Sequence, residues 1–423
     1  MHEVTPTMNS IQRITGGALA ALYLLFAPWP AMANVALLGV LLGSLFVLRP
    51  VHLGELRRLP PAWFMAALFG LVVLGLLYTP APWSWASLNL GKYAKLVYAL
   101  VILLLLLQVP QWQRWALRAY VVAMLFVLVS TWLNVWLVLP WSYSKEPGWG
   151  LSHHVLFDYI IQNVMMSLFV VFAFTQVQWR AWSWRSTAWL IVTVLAGLSI
   201  SHLSVGRTGL LLLVAGLLAW VAYSGGGRRL LMGLPLAVLA GVLLVMSSST
   251  LKSRFELAWQ EFGNRHADPL SSIGQRAYNY EKTPQLIAEQ PVWGHGTGAF
   301  HTEICRFVDK PEWCPIFNWH PHNQFLMFGA DHGLIGMLVY AGLIVSLLVM
   351  AWRSPHAKPR IWLAALAAIL LVDSMINTPL FSSSESHFFV YMMALLVAIN
   401  ASPVLANEPA AGVDGWPFRD RQA

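Results

Sequence analysis

Long apolar runs set the terms for this chain. Stretches near 14–30, 32–48, 61–79, 92–109, 115–139, 155–177, 187–205, 208–223, 230–247, 333–352, 361–378 and 386–401 are nearly unbroken hydrophobic sequence. A helix of about 17–25 apolar residues matches the thickness of a bilayer core and satisfies its own backbone there. The pattern therefore predicts an all-α polytopic integral membrane protein with about 12 transmembrane helices. Charged residues make up only 10% of the chain, against about 25% in soluble domains. Trp83, Trp85, Trp141, Trp149, Trp179, Trp182 and Trp184 near the ends of the runs fit interfacial aromatic belts. Arg13 and Ala31-Met32-Ala33 give the first run some features of a signal peptide, but a second run follows at once, so an uncleaved helix is expected.

The net charge of +8 invites a nucleic-acid reading, which the placement of the charges removes. Arg49, Arg57, Arg58, Arg114, Arg118, Arg180, Arg185, Arg228, Arg229, Arg353, Lys358 and Arg360 all fall in short connections on one side. By the positive-inside rule that side is cytoplasmic, and so are both termini. The expected organisation is helices 1–9 in residues 1–247, a large, partly helical periplasmic loop in 248–321, helices 10–12 in 322–401, and a polar cytoplasmic tail in 402–423. In a bacterial reading the protein sits in the inner membrane.

The loop has structure of its own. Phe255, Trp259 and Phe262 recur at helical spacing among Lys252, Arg254, Glu256 and Glu261, as in an amphipathic helix on a membrane surface. A second helix carries Arg276 and Tyr280, with Pro284 bending or splitting it. Gly294-His295-Gly296-Thr297-Gly298 is a tight connection, either a turn or an anion cradle. Cys305 and Cys314 are a disulfide if the loop faces an oxidising compartment, and otherwise two inert thiols.

Chemistry concentrates where this loop meets the tenth run, in Asn318-Trp319-His320-Pro321-His322-Asn323. Pro321 suits a first helical turn, which predicts His322 and Asn323 at the positive end of a helix dipole. An imidazole there is held neutral and available as a base. Asp331, about 13 Å further along a straight helix, is too far to orient it, and with His332 reads as structural. Arg207, in a short connection with no carboxylate near in sequence, is either a functional cation or a snorkelling arginine. Lys92 and Lys95 are either headgroup contacts or part of the same site. On this topology Lys92, Lys95, Arg207 and His322 all begin helices on the outer face, an arrangement that suits phosphate or pyrophosphate. A membrane protein with such a site beside a histidine base points to chemistry on a lipid-linked phosphate. No Asp-x-Asp pair, Gly-x-Ser-x-Gly elbow, His-Glu-x-x-His helix or histidine spacing for a metal is present, so no metal or other cofactor is expected.

At these residues the sequence resembles the O-antigen ligase family, within the superfamily of O-antigen polymerases and protein O-oligosaccharyltransferases. The ligase motif His-[Asn/Ser/Gln], nine residues, Gly-x-x-[Gly/Thr/Tyr] reads here as His322-Asn323, nine residues, Gly333-Leu334-Ile335-Gly336. Arg207 and Leu211 match an Arg-x-x-x-Leu motif, and Arg276 is the candidate for a loop arginine. The resemblance implies a GT-C-like, metal-independent, inverting glycosyltransferase. Its donor would be a glycan on undecaprenyl pyrophosphate, and its acceptor a sugar hydroxyl of lipid A–core in lipopolysaccharide biosynthesis. It implies His322 as general base, and Arg207 and Arg276, with Lys92 or Lys95, on the pyrophosphate. A polymerase or protein O-oligosaccharyltransferase is the near alternative and a lipid-glycan transporter the remote one, disfavoured because the basic groups gather at one surface rather than at several depths.

Overall fold

The computed structural model describes residues 8–225, 249–265 and 267–402, with four single positions between 239 and 247. All regular structure among the described residues is helical. Among the described residues nine helices are long and apolar enough to cross a membrane: Pro30–Val47, Trp83–Gln108, Pro110–Leu133, Tyr159–Gln176, Trp184–His202, Arg207–Ser224, Gln324–Arg353, Ala357–Ile376 and Ser383–Ala401. The expected first and third spans form the helices Ser10–Leu25 and Pro60–Gly75, each of 16 residues. At about 24 Å they fall short of the roughly 30 Å hydrocarbon layer. A short helical piece, Pro50–Leu56, meets the second of them at 106°. The expected span at 230–247 lies outside the described residues, apart from those single positions.

Ser383–Ala401, the last helix, is the hub. Phe388, Phe389, Tyr391, Met392, Leu395, Leu396 and Ile399 are buried on every side of it, as expected of a helix that is apolar all round. It packs on Lys95–Gln108, on the penultimate helix Ala357–Ile376 and on Pro110–Leu133. Pro30–Val47, at the rim, turns Val35, Leu38, Leu42, Leu45 and Phe46 outward, where only lipid makes such a surface acceptable. Trp83, Trp149, Trp179, Trp182 and Trp184 are exposed near helix ends, as interfacial belts require.

Two longer helices build the loop. The first, Ser249–Gly263, exposes Trp259 and Phe262. The second, Ser272–Glu289, is capped by the Ser271 side chain and runs unbroken through Pro284, so the proline does not split it. Cys305 and Cys314 are joined in a disulfide with Cα atoms 5.1 Å apart.

The histidine helix, Gln324–Arg353, breaks at Gly333, whose φ of 62° and ψ of −159° are open essentially to glycine alone. A side chain there would also meet the Val292 carbonyl oxygen at 2.3 Å. The break frees two N–H groups for the loop: Leu334 donates to the Pro291 carbonyl (2.8 Å) and Ile335 to that of Val292 (3.4 Å). In return His295 and Gly296 donate to the carbonyls of Ala330 and Asp331 at 3.0 and 2.8 Å. Loop and helix are thus interlocked through backbone, and this holds the His322 segment beside the loop arginine.

Candidate functional site

The helix start differs from the sequence expectation. Asn323 is the cap, its side chain accepting from the N–H groups of Phe325 and Leu326, and the helix begins at Gln324. Pro321 and His322 therefore precede the first turn. The reason is local: an asparagine oxygen that satisfies two orphan N–H groups defines a helix start better than a proline does. His322 itself has φ 53°, the one positive φ outside glycine among the described residues. That left-handed backbone brings its N–H to the Nδ1 of His320 (3.2 Å), and the two rings meet edge to face with centroids 4.3 Å apart.

The surroundings keep both rings neutral. Burial, then the neighbouring His320 and the charge of Arg276, push the His322 pKa down to about 2. Burial, then Arg276 and His301, push His320 down to about 4. His322 Nδ1 has no hydrogen-bond partner.

The C-terminal end of the penultimate helix gathers the site. Its last carbonyls lack partners within the helix and must find donors elsewhere. Arg276 Nε donates to the Ile376 carbonyl at 3.2 Å, and Asn323 Nδ2 to that of Met375 at 3.4 Å. The Tyr280 hydroxyl lies against the carbonyls of Met375 and of His322, the latter at 3.2 Å. Arg276 and Tyr280, one turn apart on the loop helix, thus fix the arginine and the histidine to one anchor. Sequence reading gave Tyr280 and His320 no role; only the side-chain spacing Arg276-x-x-x-Tyr280 hinted at the first.

Arg276 also donates to the carbonyl and hydroxyl of Ser272, both at 2.8 Å. Burial lowers its pKa; Tyr280 opposes that shift and the charge of Arg207 adds to it. A guanidinium remains charged throughout. Arg207 opens its helix, Arg207–Gly225. Its guanidinium donates to the Arg254 carbonyl (3.0 Å) and pairs with Glu261 at 3.4 Å. The carboxylate missing from the sequence neighbourhood of Arg207 is therefore supplied from the loop. Arg207, Leu211, Arg254, Glu261 and Arg276 line one cavity of about 350 Å³, together with Tyr159. Leu211, one turn after Arg207, is an apolar wall of that cavity.

Lys92 and Lys95 lie elsewhere. Lys92 lies in the last turn of the helix Trp83–Tyr93 and Lys95 opens the helix Lys95–Gln108, the two forming one span together. Lys92 donates to the Ser383 hydroxyl, and Lys95 to the Ser383 carbonyl (3.0 Å) and the Ser386 hydroxyl. They hold the start of the last helix and do not line the arginine cavity. Asp331 is structural: its carboxylate accepts from the N–H groups of Gly298 (3.0 Å) and Phe300 (2.9 Å). The glycine-rich connection does cradle an anion, but that anion is the protein's own carboxylate. Gly336 lets the helix pack tightly after the break, since a Cβ there would lie 2.7 Å from that of His332. Among the described residues no three His, Cys, Asp or Glu side chains are grouped to hold a metal ion.

No curated protein matches this chain. One similar solved structure was reported as "Structural coordination of polymerization and crosslinking by a peptidoglycan synthase complex". It shares 17% identity and covers 80% of this chain and 96% of its own, with a TM-score of 0.47. Residues 192–341 of this multi-pass membrane protein, which include Arg207, Arg276 and His322 through Gly336, match the family model described as Wzy_C, O-antigen ligase.

Proposed function

We propose that this protein is an O-antigen ligase. It transfers a glycan from undecaprenyl pyrophosphate to a sugar hydroxyl of lipid A–core at the periplasmic face of a Gram-negative inner membrane. One observation carries the reading: Arg207 and Arg276, far apart in sequence, line one cavity, and Tyr280 with the end of the penultimate helix ties that cavity to His322.

In this proposal the pyrophosphate occupies the arginine cavity, and the acceptor hydroxyl approaches from the side of His322. The hydroxyl oxygen bonds to the anomeric carbon as that carbon's bond to the pyrophosphate oxygen breaks. The hydroxyl proton passes to the imidazole of His322. Attack opposite the leaving group inverts the anomeric centre. Arg207 and Arg276 take up the negative charge that builds on the departing pyrophosphate, as a divalent ion would elsewhere. A base works best when its pKa is near the working pH, and burial above all holds His322 far below it. A bound pyrophosphate offsets the charge of Arg276, the smallest of the three causes that lower His322, and so shifts the base upward toward its working range. Lys92 and Lys95 lie outside the cavity and take no part in holding the pyrophosphate.

The test is reconstitution in detergent with undecaprenyl-pyrophosphate glycan, lipid A–core and a chelator. Glycosylated lipid A is the expected product. Longer polyprenyl-linked chains would assign a polymerase instead, and no product on either lipid would overturn glycan transfer as the function.

A further inference from the structure

Beside His322 stands a tryptophan that neither the arginine cavity nor the helix start explains. Trp319 is 46% exposed although three aromatic groups surround it. Its ring meets Phe381 at 5.5 Å, Trp85 at 6.0 Å and His301 at 6.2 Å, all at steep angles. Behind it Trp85 and His301 are stacked 4.1 Å apart and 11° from parallel. The backbone is fixed as well. His301 Nδ1 donates to the carbonyl of Asn318, the residue before Trp319, at 2.6 Å, and Asn318 Nδ2 donates back to the His301 carbonyl at 3.1 Å.

The platform is thus rigid, yet it leaves an aromatic ring partly open to solvent. An interfacial belt tryptophan needs no such bracing by protein, because its own amphipathic ring settles it at the headgroup level. A braced, open aromatic ring suits a ligand whose ring has an apolar C–H face and a polar edge, which is the make-up of a pyranose. Polar groups bracket it. One of these is charged and two are neutral: Lys92 Nζ stands 5.4 Å from the centroid of Phe381, the ring against which Trp319 leans, and the neutral rings of His320 and His322 follow within three residues. An ammonium has three donors and Lys92 places one on Ser383, so others remain for a ligand.

We propose that Trp319 and Lys92 form the acceptor subsite, with the acceptor pyranose stacked on Trp319 and an anionic substituent of that sugar, a phosphate or carboxylate, on Lys92. The inference rests on the transfer reading above, which needs an acceptor hydroxyl at His322 on the side away from the arginine cavity. It separates the two basic groups of the outer face by substrate: arginines for the donor, Lys92 for the acceptor.

Two measurements test it. In steady-state transfer, Trp319→Ala is expected to raise the KM for acceptor at least about tenfold, with the KM for donor unchanged. Trp319→Phe should recover most of the loss, and Lys92→Gln should discriminate only against acceptors that carry the anionic group. A donor KM that rises with Trp319→Ala, or an acceptor KM that does not, overturns the subsite. Saturation-transfer NMR with soluble, phosphorylated core oligosaccharide reads binding without transfer. Signal on the wild-type protein that Trp319→Phe keeps and Trp319→Ala loses upholds the subsite even if no glycan is transferred. Equal signal on all three, or none on the wild type, overturns it, whereas absence of transfer alone counts against the reaction.

Discussion

His322 has a chemical role and a backbone role, and substitution separates them. Its imidazole is the proposed base, while its φ of 53° is a conformation that costs an L-residue roughly 1–2 kcal/mol. Both His322→Ala and His322→Gly should lower transfer by about 10²–10⁴-fold, the usual worth of a general base. Glycine adopts the left-handed backbone freely, so His322→Gly should unfold at a higher temperature than His322→Ala, by thermal scans in detergent. Equal activity in wild type and His322→Ala would remove the base.

Acid should weaken the fold through the same residues. His320, His322 and His301 are held down to about 4, about 2 and about 4 by burial before any other cause, whereas in the unfolded chain each titrates near its usual value of about 6.5. Between those limits the unfolded state binds more protons, so stability is full above about pH 6.5 and falls as the pH drops below it. Replacing His320 and His322 by Gln should flatten that acid limb in unfolding curves recorded from pH 7 to pH 4.5. An unchanged limb would place the loss elsewhere.

At the scale of elements, the helix Ser249–Gly263 forms one wall of the arginine cavity and places Glu261 on Arg207. An incoming pyrophosphate competes with that carboxylate. Glu261→Gln is therefore expected to lower the KM for donor by about two- to fivefold, the worth of a partly exposed ion pair. A higher KM would mean that Glu261 orients Arg207 instead. This pairing shows where the sequence stops being legible. The His322–Gly336 spacing, the arginines and the order of the spans can all be read from it, because each depends on residues close in the chain or on length alone. Glu261, Tyr280 and the Met375–Ile376 carbonyls reach the site only through packing. Lipid tails are as apolar as a protein core, so the hydrophobic pattern of a membrane helix does not tell which face meets protein. Lys92 and Lys95 fall outside the cavity for a related reason: their contacts with Ser383 and Ser386, far on in the chain, arise only through packing.

For the molecule as a whole, burial is unevenly shared. Leu395 in the last helix is fully buried and Leu38 at the rim is 57% exposed. Leu395→Ala should cost about 2–4 kcal/mol, and Leu38→Ala under about 0.5, measured by unfolding in detergent. Similar losses at both positions would deny the last helix its central place.

That central place also dictates an order of assembly. The ribosome delivers Ser383–Ala401 after every helix that surrounds it, so the surrounding helices must first stand around an unfilled seat. Until the last helix arrives, the faces that will receive Phe388, Tyr391 and Leu395 lack their partner. Lys92 and Lys95, already in place and reaching for Ser383 and Ser386, are then the latch that closes behind it.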